Sequence, residues 1–339
     1  MMVLRWLASS LAICLFVVTP VAAQTLWTTS HVDAAACRTH ASPHGPAAFS
    51  QVVQGHGPWP HTPGGAIEFI DHTAAHLNAA AIGRANNRQL ADRLVSAARA
   101  RAWTRLDFEG RGGPSPSFAS AIVVRTTAYA VSYLRGRNAI TAAELREVGD
   151  WVALLQRNSR QRANAPDHQA AIILAEISWA AAIGDRSGLN QAAGQLIRFL
   201  APLRRNPYIT ADLRSNNEVM HHLTLGAQIL RQNGFDLLNH DTGGHSLNTA
   251  IIHHARRVLE NRDRPITTAG DPTDQARSIF RAQAWGTHLA WIPVVLSTPG
   301  SESARRDVLA LDAALRRTDR NAYWGIQIGV HSGCLFGRR

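Results

Sequence analysis

The chain has no lysine; its 35 residues of the lysine-plus-arginine class are all arginine. That absence excludes Schiff-base catalysis and a phosphate cradle built around a P-loop lysine. Cysteine is nearly as scarce, three in 339 residues, and no CxxC pair is present. Aromatic residues make up 6% and do not interleave with basic ones, so no base-stacking platform and no nucleic-acid partner are expected. No GxSxG elbow and no GxGxxG opening a helix after a strand occur. Strand signals are few. Trp324, Ile326, Ile328 and Val330 alternate, but one short strand does not build a sheet.

Long apolar runs are missing too, apart from one at the start. Trp6 to Pro20 follows Arg5 and precedes the small residues Val21-Ala22-Ala23. This pattern predicts an export signal over residues 1–23, with cleavage before Gln24. The run is short for a membrane span, and none is expected after signal removal. The mature protein is then exported, with the periplasm as the expected compartment and secretion as the alternative. Cys14 leaves with the signal. Cys37 and Cys334 remain near opposite ends, either bridged in an oxidising compartment or as two buried thiols.

The formal net charge is +11 and the isoelectric point is near 11.0. A cationic exported surface favours polyanions as partners. No linker rich in proline, serine or glycine splits the middle, so residues 24–65 are expected as an extended loop region and 66–339 as one domain. The sequence leaves the oligomeric state open.

From Ala66 onward the chain reads as helices with short breaks. Thr141 and Glu144 form a capping box, with Ile140 and Leu145 as a hydrophobic staple, opening a helix to about Asn158. Ser117 is expected to cap another helix that ends near Gly136. Helices are also predicted over His168 to Ile183, Gly188 to Leu203 and Ser246 to Glu260. Another follows Asp271-Pro272, and the last spans Ser301 to Arg317. About eight to ten antiparallel helices of similar length suit an all-α fold, an incomplete α/α toroid of helix pairs.

Between Pro207 and Leu238, Arg214, Asn217, Glu218 and His221 fall on one helical side. Leu213, Met220, Leu223, Ala227 and Leu230 form an apolar face expected to meet the core. The polar side suits the handling of an acidic sugar or an ordinary solvated surface. Arg before Glu at i,i+4 is the weaker order for a helical pair, and the doublet Asn216-Asn217 costs helix propensity.

His168 follows Pro166-Asp167 and shares a stripe with Ile172, Ala175 and Trp179. It reads as a satisfied core residue or as a site residue, with Asp167 as a helix cap beside the imidazole. His72 and His76, at i,i+4, form half of a possible zinc site, without a paired glutamate. In the doublets His221-His222 and His253-His254 the side chains diverge by about 100°. One member of each is therefore expected to face solvent.

Several blocks resemble the alginate lyase domain of poly-mannuronate lyases. Arg125 to Arg135 follows an R-x-x-A-x-A-x-x-Y-L-R pattern, and Asp150 to Leu155 is similar to the helix after it. Pro166-Asp167-His168 stands where the family has Asn-Asn-His. Asn233-Gly234-Phe235-Asp236-Leu237 matches N-G-x-D-L. His288-Leu289-Ala290-Trp291 and Ser332-Gly333-Cys334-Leu335-Phe336 resemble late segments. The resemblance implies an α/α toroid and β-elimination on a uronate polysaccharide, with no cofactor. It places Ala211 at the family's arginine and Glu218 at its tyrosine, with Asn216 and Asn217 where the family has His-Asn.

The roles expected here are as follows. Arg214 and Asn217 neutralise the carboxylate, His168 is the base, and Tyr208 or Glu218 is the acid. Asn216, His221 and Asp167 are further substrate contacts. Two rivals stand beside this reading: a non-catalytic binder of acidic glycan on the same scaffold, and a metal-dependent hydrolase using His72, His76 and an acidic ligand.

Overall fold

The computed structural model describes residues 26, 32–38, 49–54, 65–108, 116–281, 289–316, 324–325 and 328–336. The export signal and most of the expected N-terminal loop lie outside these residues, as do His288 and Ile326.

The helices in chain order begin with α1 (Ala34–Arg38), α2 (Ala66–Ala81) and α3 (Asn87–Arg99). Then come α4 (Pro116–Gly136), α5 (Ala142–Ser159), α6 (Pro166–Ile183) and α7 (Arg186–Phe199). The later ones are α8 (Leu213–Gln232), α9 (Leu247–Asn261), α10 (Pro272–Arg281), α11 (Trp291–Ser297), α12 (Arg305–Arg316) and α13 (Ser332–Leu335). Among the described residues the strand component is two ribbons: β1 (Val52–Gln54) runs parallel to β2 (Arg105–Asp107), and β3 (Trp324–Gly325) antiparallel to β4 (Val330–His331). The alternation from Trp324 to Val330 is thus two short strands, where one was expected.

Composition sorts the helices into layers. In α3, α5 and α7 only a stripe is buried: Leu189, Ala192, Ala193 and Leu196 in α7, for example. Such amphipathic helices face water on one side. By contrast, α4 is buried at every position from Pro116 to Leu134, and α6 at nearly all from Ala170 to Ala182. A helix apolar all round belongs inside. The packing agrees: α2, α4, α6, α8 and α11 touch in that order as an inner row, while α5 backs α4, α7 backs α6 and α12 backs α11. The C-terminal β4 and α13 return to α2, and α13 also touches α11. This is the all-α toroid of helix pairs expected from the sequence.

Local signals set most of the boundaries. The capping box of Thr141 and Glu144 is formed in both directions. Gly184 ends α6 at φ 77° and Gly234 follows α8 at φ 88°, left-handed values at which glycine carries no Cβ penalty. Ser246 and Asp271 cap α9 and α10 through the backbone N–H groups of Thr249 and Asp274. Elsewhere the expected starts shift. Asp185 caps α7, which ends at Phe199 before a 3-10 turn over Ala201–Arg204, and α12 begins at Arg305. Ser117 is not a cap: it lies within the first turn of α4 and its hydroxyl donates to the Gln161 carbonyl. Nor is Asp167, because Ala165 is the N-cap of α6 and Pro166 fills the first turn.

Cys37 and Cys334 are bridged, joining α1 to α13 across 297 residues of sequence. The Asp33 N–H donates to the Cys334 carbonyl at 2.9 Å beside the bridge.

Candidate active site

Asp212 opens α8, accepting from the Ser215 N–H, and Gln275 of α10 braces the same turn through Asp212 and the Leu213 N–H. Arg214 is exposed in this first turn. The helix then runs inward, and every residue from Asn216 to Leu230 is buried. The two-faced reading of α8 is therefore corrected. As an inner helix packed on α6, α9, α10 and α11, it turns its polar side into protein, not into water.

Asn216 and Asn217 grip one histidine between them. The backbone N–H groups of Ile209 and Thr210 donate to Asn216 Oδ1 at 3.1 and 3.4 Å, which fixes its amide orientation. Asn216 Nδ2 therefore donates to His254 Nδ1 at 3.1 Å. The proton of His254 is then on Nε2, which donates to Asn217 Oδ1 at 3.0 Å. Trp291 Nε1 donates to the same oxygen, also at 3.0 Å. Both amide atoms of Asn216 are thus engaged in anchoring the chain before α8 and in orienting His254.

Burial holds the His254 pKa down at about 3, with Arg257 and His221 adding to the effect, and pushes His222 well below the ordinary histidine value. The folded protein thus binds fewer protons than the unfolded chain, whose histidines titrate near 6.5. Their stabilisation is complete above about pH 6.5 and declines as pH falls from there, by roughly 1.4 kcal/mol per unit for each such histidine. Urea unfolding is expected to show this loss between about pH 6.5 and 5, before most carboxylates protonate. A flat profile across that window contradicts the neutral, buried assignment.

Glu218, His221 and His222 lie one turn further in. His221 Nδ1 sits 3.1 Å from the Asn217 carbonyl, which only accepts, so this nitrogen carries hydrogen in the neutral ring. Glu218 Oε2 is 4.0 Å from the same Nδ1. The expectation that one of His221 and His222 faces solvent is overturned, since both are buried. In the other doublet His254 is buried and His253 half-buried.

His168 stands in the first turn of α6, half-buried beside the half-buried Asp167. Its ring centroid is 5.1 Å from that of Phe118, whose own ring is 5.7 Å from His222. Phe118 in the first turn of α4 thus lies between the α6 histidine and α8. Sequence reasoning passed over the next member, Arg125 of α4. It is fully buried, and its Nη1 donates to His222 Nδ1 at 3.0 Å. The signal was available: a lone arginine in the otherwise uncharged run from Ser117 to Leu134.

Tyr208 belongs to a different group. Arg257 lies over its ring at 4.9 Å from the centroid, and His253 is 6.3 Å from it. The structure thus sets His168 and His222 on either side of Phe118, keeps Glu218 beside His221 on α8, and seats Tyr208 against α9. The rings of His72 and His76 pack tilted with centroids 4.4 Å apart, both residues buried, and among the described residues no group of three or more histidine, cysteine or carboxylate side chains is placed to hold a metal.

The architecture is an α/α toroid with histidines and a carboxylate collected on its inner helices. Alginate lyase A1-III from Sphingomonas species A1 has the same fold, with a TM-score of 0.62 at 16% identity over 89% of this chain and 87% of that one. A histidine-to-alanine variant of that enzyme complexed with tetrasaccharide gives 0.61 at 15%, covering 92% and 89%. A tyrosine-to-phenylalanine variant, also with tetrasaccharide, gives 0.60 at 17% with the same coverage. No protein-family profile matches the chain, and no curated protein matches it by sequence.

Proposed function

We propose that this chain is an exported polysaccharide lyase that cleaves an acidic, uronate-containing polysaccharide by β-elimination. The observation that carries the reading is the approach of the α6 histidine, across the ring of Phe118, to His222 of α8, on a scaffold shared with alginate lyases. Elimination needs the C6 carboxylate neutralised, the C5 proton removed, and the departing O4 protonated as the C4–O4 bond breaks and the C4–C5 double bond forms. His168 is the base; half-exposed and without a hydrogen bond among the described residues, it is available for proton transfer. Glu218 is favoured over Tyr208 as the acid because it lies with the histidine cluster. Arg214, exposed at the outer end of the same helix edge, offers the guanidinium fork for the carboxylate. Asp167 is the neighbouring contact, whereas Asn217 and His221 are fully buried and Asn217 Oδ1 is held by His254 and Trp291. Incubation with uronate polymers while recording absorbance of a conjugated double bond tests the proposal; no rise on any uronate polymer removes it.

A second reading, a binder of acidic glycan, is favoured by one observation. Asn216, expected as a substrate contact, has its amide wholly engaged within the protein. Affinity for uronate polymer without unsaturated ends selects that reading.

A further inference from the structure

Arg162 stands in the turn between α5 and α6, two residues past Arg160, the C-cap of α5. Its backbone is left-handed, with φ 52°, where a residue carrying a Cβ is uncommon. Helix closure explains the same sign of φ at Arg101 and Asn138. There the next N–H groups, of Ala102 and Ala139, reach back to the carbonyls of Ala97 and Leu134 and end α3 and α4. No such bond follows Arg162 among the described residues. The turn is tied to its neighbours instead. The Gln161 carbonyl accepts from the Ser117 hydroxyl in the first turn of α4. The Asn164 N–H donates to the Arg162 carbonyl at 3.1 Å, and Gln169 Nε2 of α6 donates to the Asn164 carbonyl at 3.4 Å. The unusual backbone is thus held at the end of the toroid where α4 and α6 begin. Ser117 directly precedes Phe118, whose ring lies against His168.

What this conformation presents is a guanidinium. Arg162 is exposed and lies over the ring of Phe108, 4.5 Å from its centroid. Stacking occupies the face of the guanidinium and leaves its N–H groups, which lie in the plane, open to an anion. It also restricts the side chain before any ligand arrives, which lowers the entropy cost of binding. Neighbouring Arg160 is held by Glu176 at 2.5 Å, whereas no carboxylate among the described residues pairs with Arg162. A left-handed arginine braced on an aromatic ring, with its fork unclaimed, suits a position that grips a carboxylate.

We infer that Arg162, braced by Phe108, binds the carboxylate of a uronate unit outside the scissile pair and so selects polymer over short fragments. The site rests on the reading of this chain as a protein that handles acidic polysaccharide, and it serves the lyase and the binder alike.

The test is calorimetric binding of sodium alginate and of sodium polygalacturonate to the His168→Ala chain, in which polymer stays intact. Adding Arg162→Gln is expected to weaken binding about tenfold or more, the loss of one charge-assisted contact. That difference should vanish on polymer whose carboxylates have been reduced to alcohols. Arg162→Gly removes the guanidinium and relieves the left-handed backbone. It should bind as weakly as Arg162→Gln yet unfold at a thermal midpoint no lower than wild type. An arginine with a purely structural role gives the reverse, a lower midpoint with binding unchanged. In the chain that keeps His168, the Arg162→Gln loss should fall on KM, not kcat, and shrink on the shortest fragment that is cleaved. Equal affinity with and without Arg162→Gln overturns the inference, as does failure of both polymers to bind. Unsaturated ends formed without dependence on Arg162 keep the elimination reading and remove this site. Binding that depends on Arg162 without unsaturated ends keeps the site and removes elimination.

Discussion

His168→Ala is expected to lower the rate of unsaturated-product formation by about 10²–10⁴-fold, the span that general base catalysis contributes. The fold should survive the change. His168 is half-exposed in the first turn of α6, where its ring packs on that of Phe118. The loss should therefore appear in kcat, with the far-ultraviolet spectrum and the thermal midpoint near wild type. His168→Gln separates hydrogen bonding from proton transfer, since glutamine keeps a polar end but takes no proton; it should be as inactive as alanine. Wild-type turnover in His168→Ala would move the base elsewhere, and His221, whose Nε2 is the basic nitrogen of its neutral ring, would be the next residue to test.

The second large effect concerns the ends of the chain. Cys37→Ser, or reduction of the bridge, releases a closure spanning 297 residues. Chain entropy for so long a loop corresponds to about 6 kcal/mol of stability in the loop-closure account. The bridge sits where it matters to the toroid, because α13 packs on both α2 and α11, the two ends of the inner row. Unfastening α1 from α13 is expected to loosen that return and to lower the urea midpoint markedly, with the denatured state expanding. Equal midpoints for oxidised and reduced protein would show that packing alone closes the ring. The bridge also fits the exported location proposed here, since such bonds persist in oxidising compartments.

How much of this was legible beforehand depends on range. Features that need only a few neighbouring residues were readable: the Thr141–Glu144 capping box, the Gly184 and Gly234 terminations, the Asp271 cap. Where local rules competed, reading failed. Pro116 and Pro166 both fill a first helical turn, so Ser117 and Asp167 lie inside their helices and cannot cap them. The larger misreading concerned α8. Its spacing separates a polar from an apolar side correctly, but whether a polar side meets water depends on the layer a helix occupies. That is fixed by contacts with α6, α9, α10 and α11, distant in sequence. The same holds for His221 and His222. Their side chains diverge as a helix requires, yet protein surrounds the helix on both sides, so both are buried. Of the proposed site residues, His168 approaches α8 through Phe118 and His222, and Glu218 lies beside His221, while Asn216 and Asn217 are absorbed into a structural network and Tyr208 stands against α9.

The most direct measurement is the mass of what leaves the enzyme. Purified wild-type chain, digested with uronate polymers of defined composition, is expected to release oligosaccharides whose new non-reducing ends are lighter by one water than hydrolysis products. Those ends should disappear with His168→Ala. Ends of full hydrolytic mass, or polymer recovered intact while bound to the protein, would contradict elimination as the activity of this toroid.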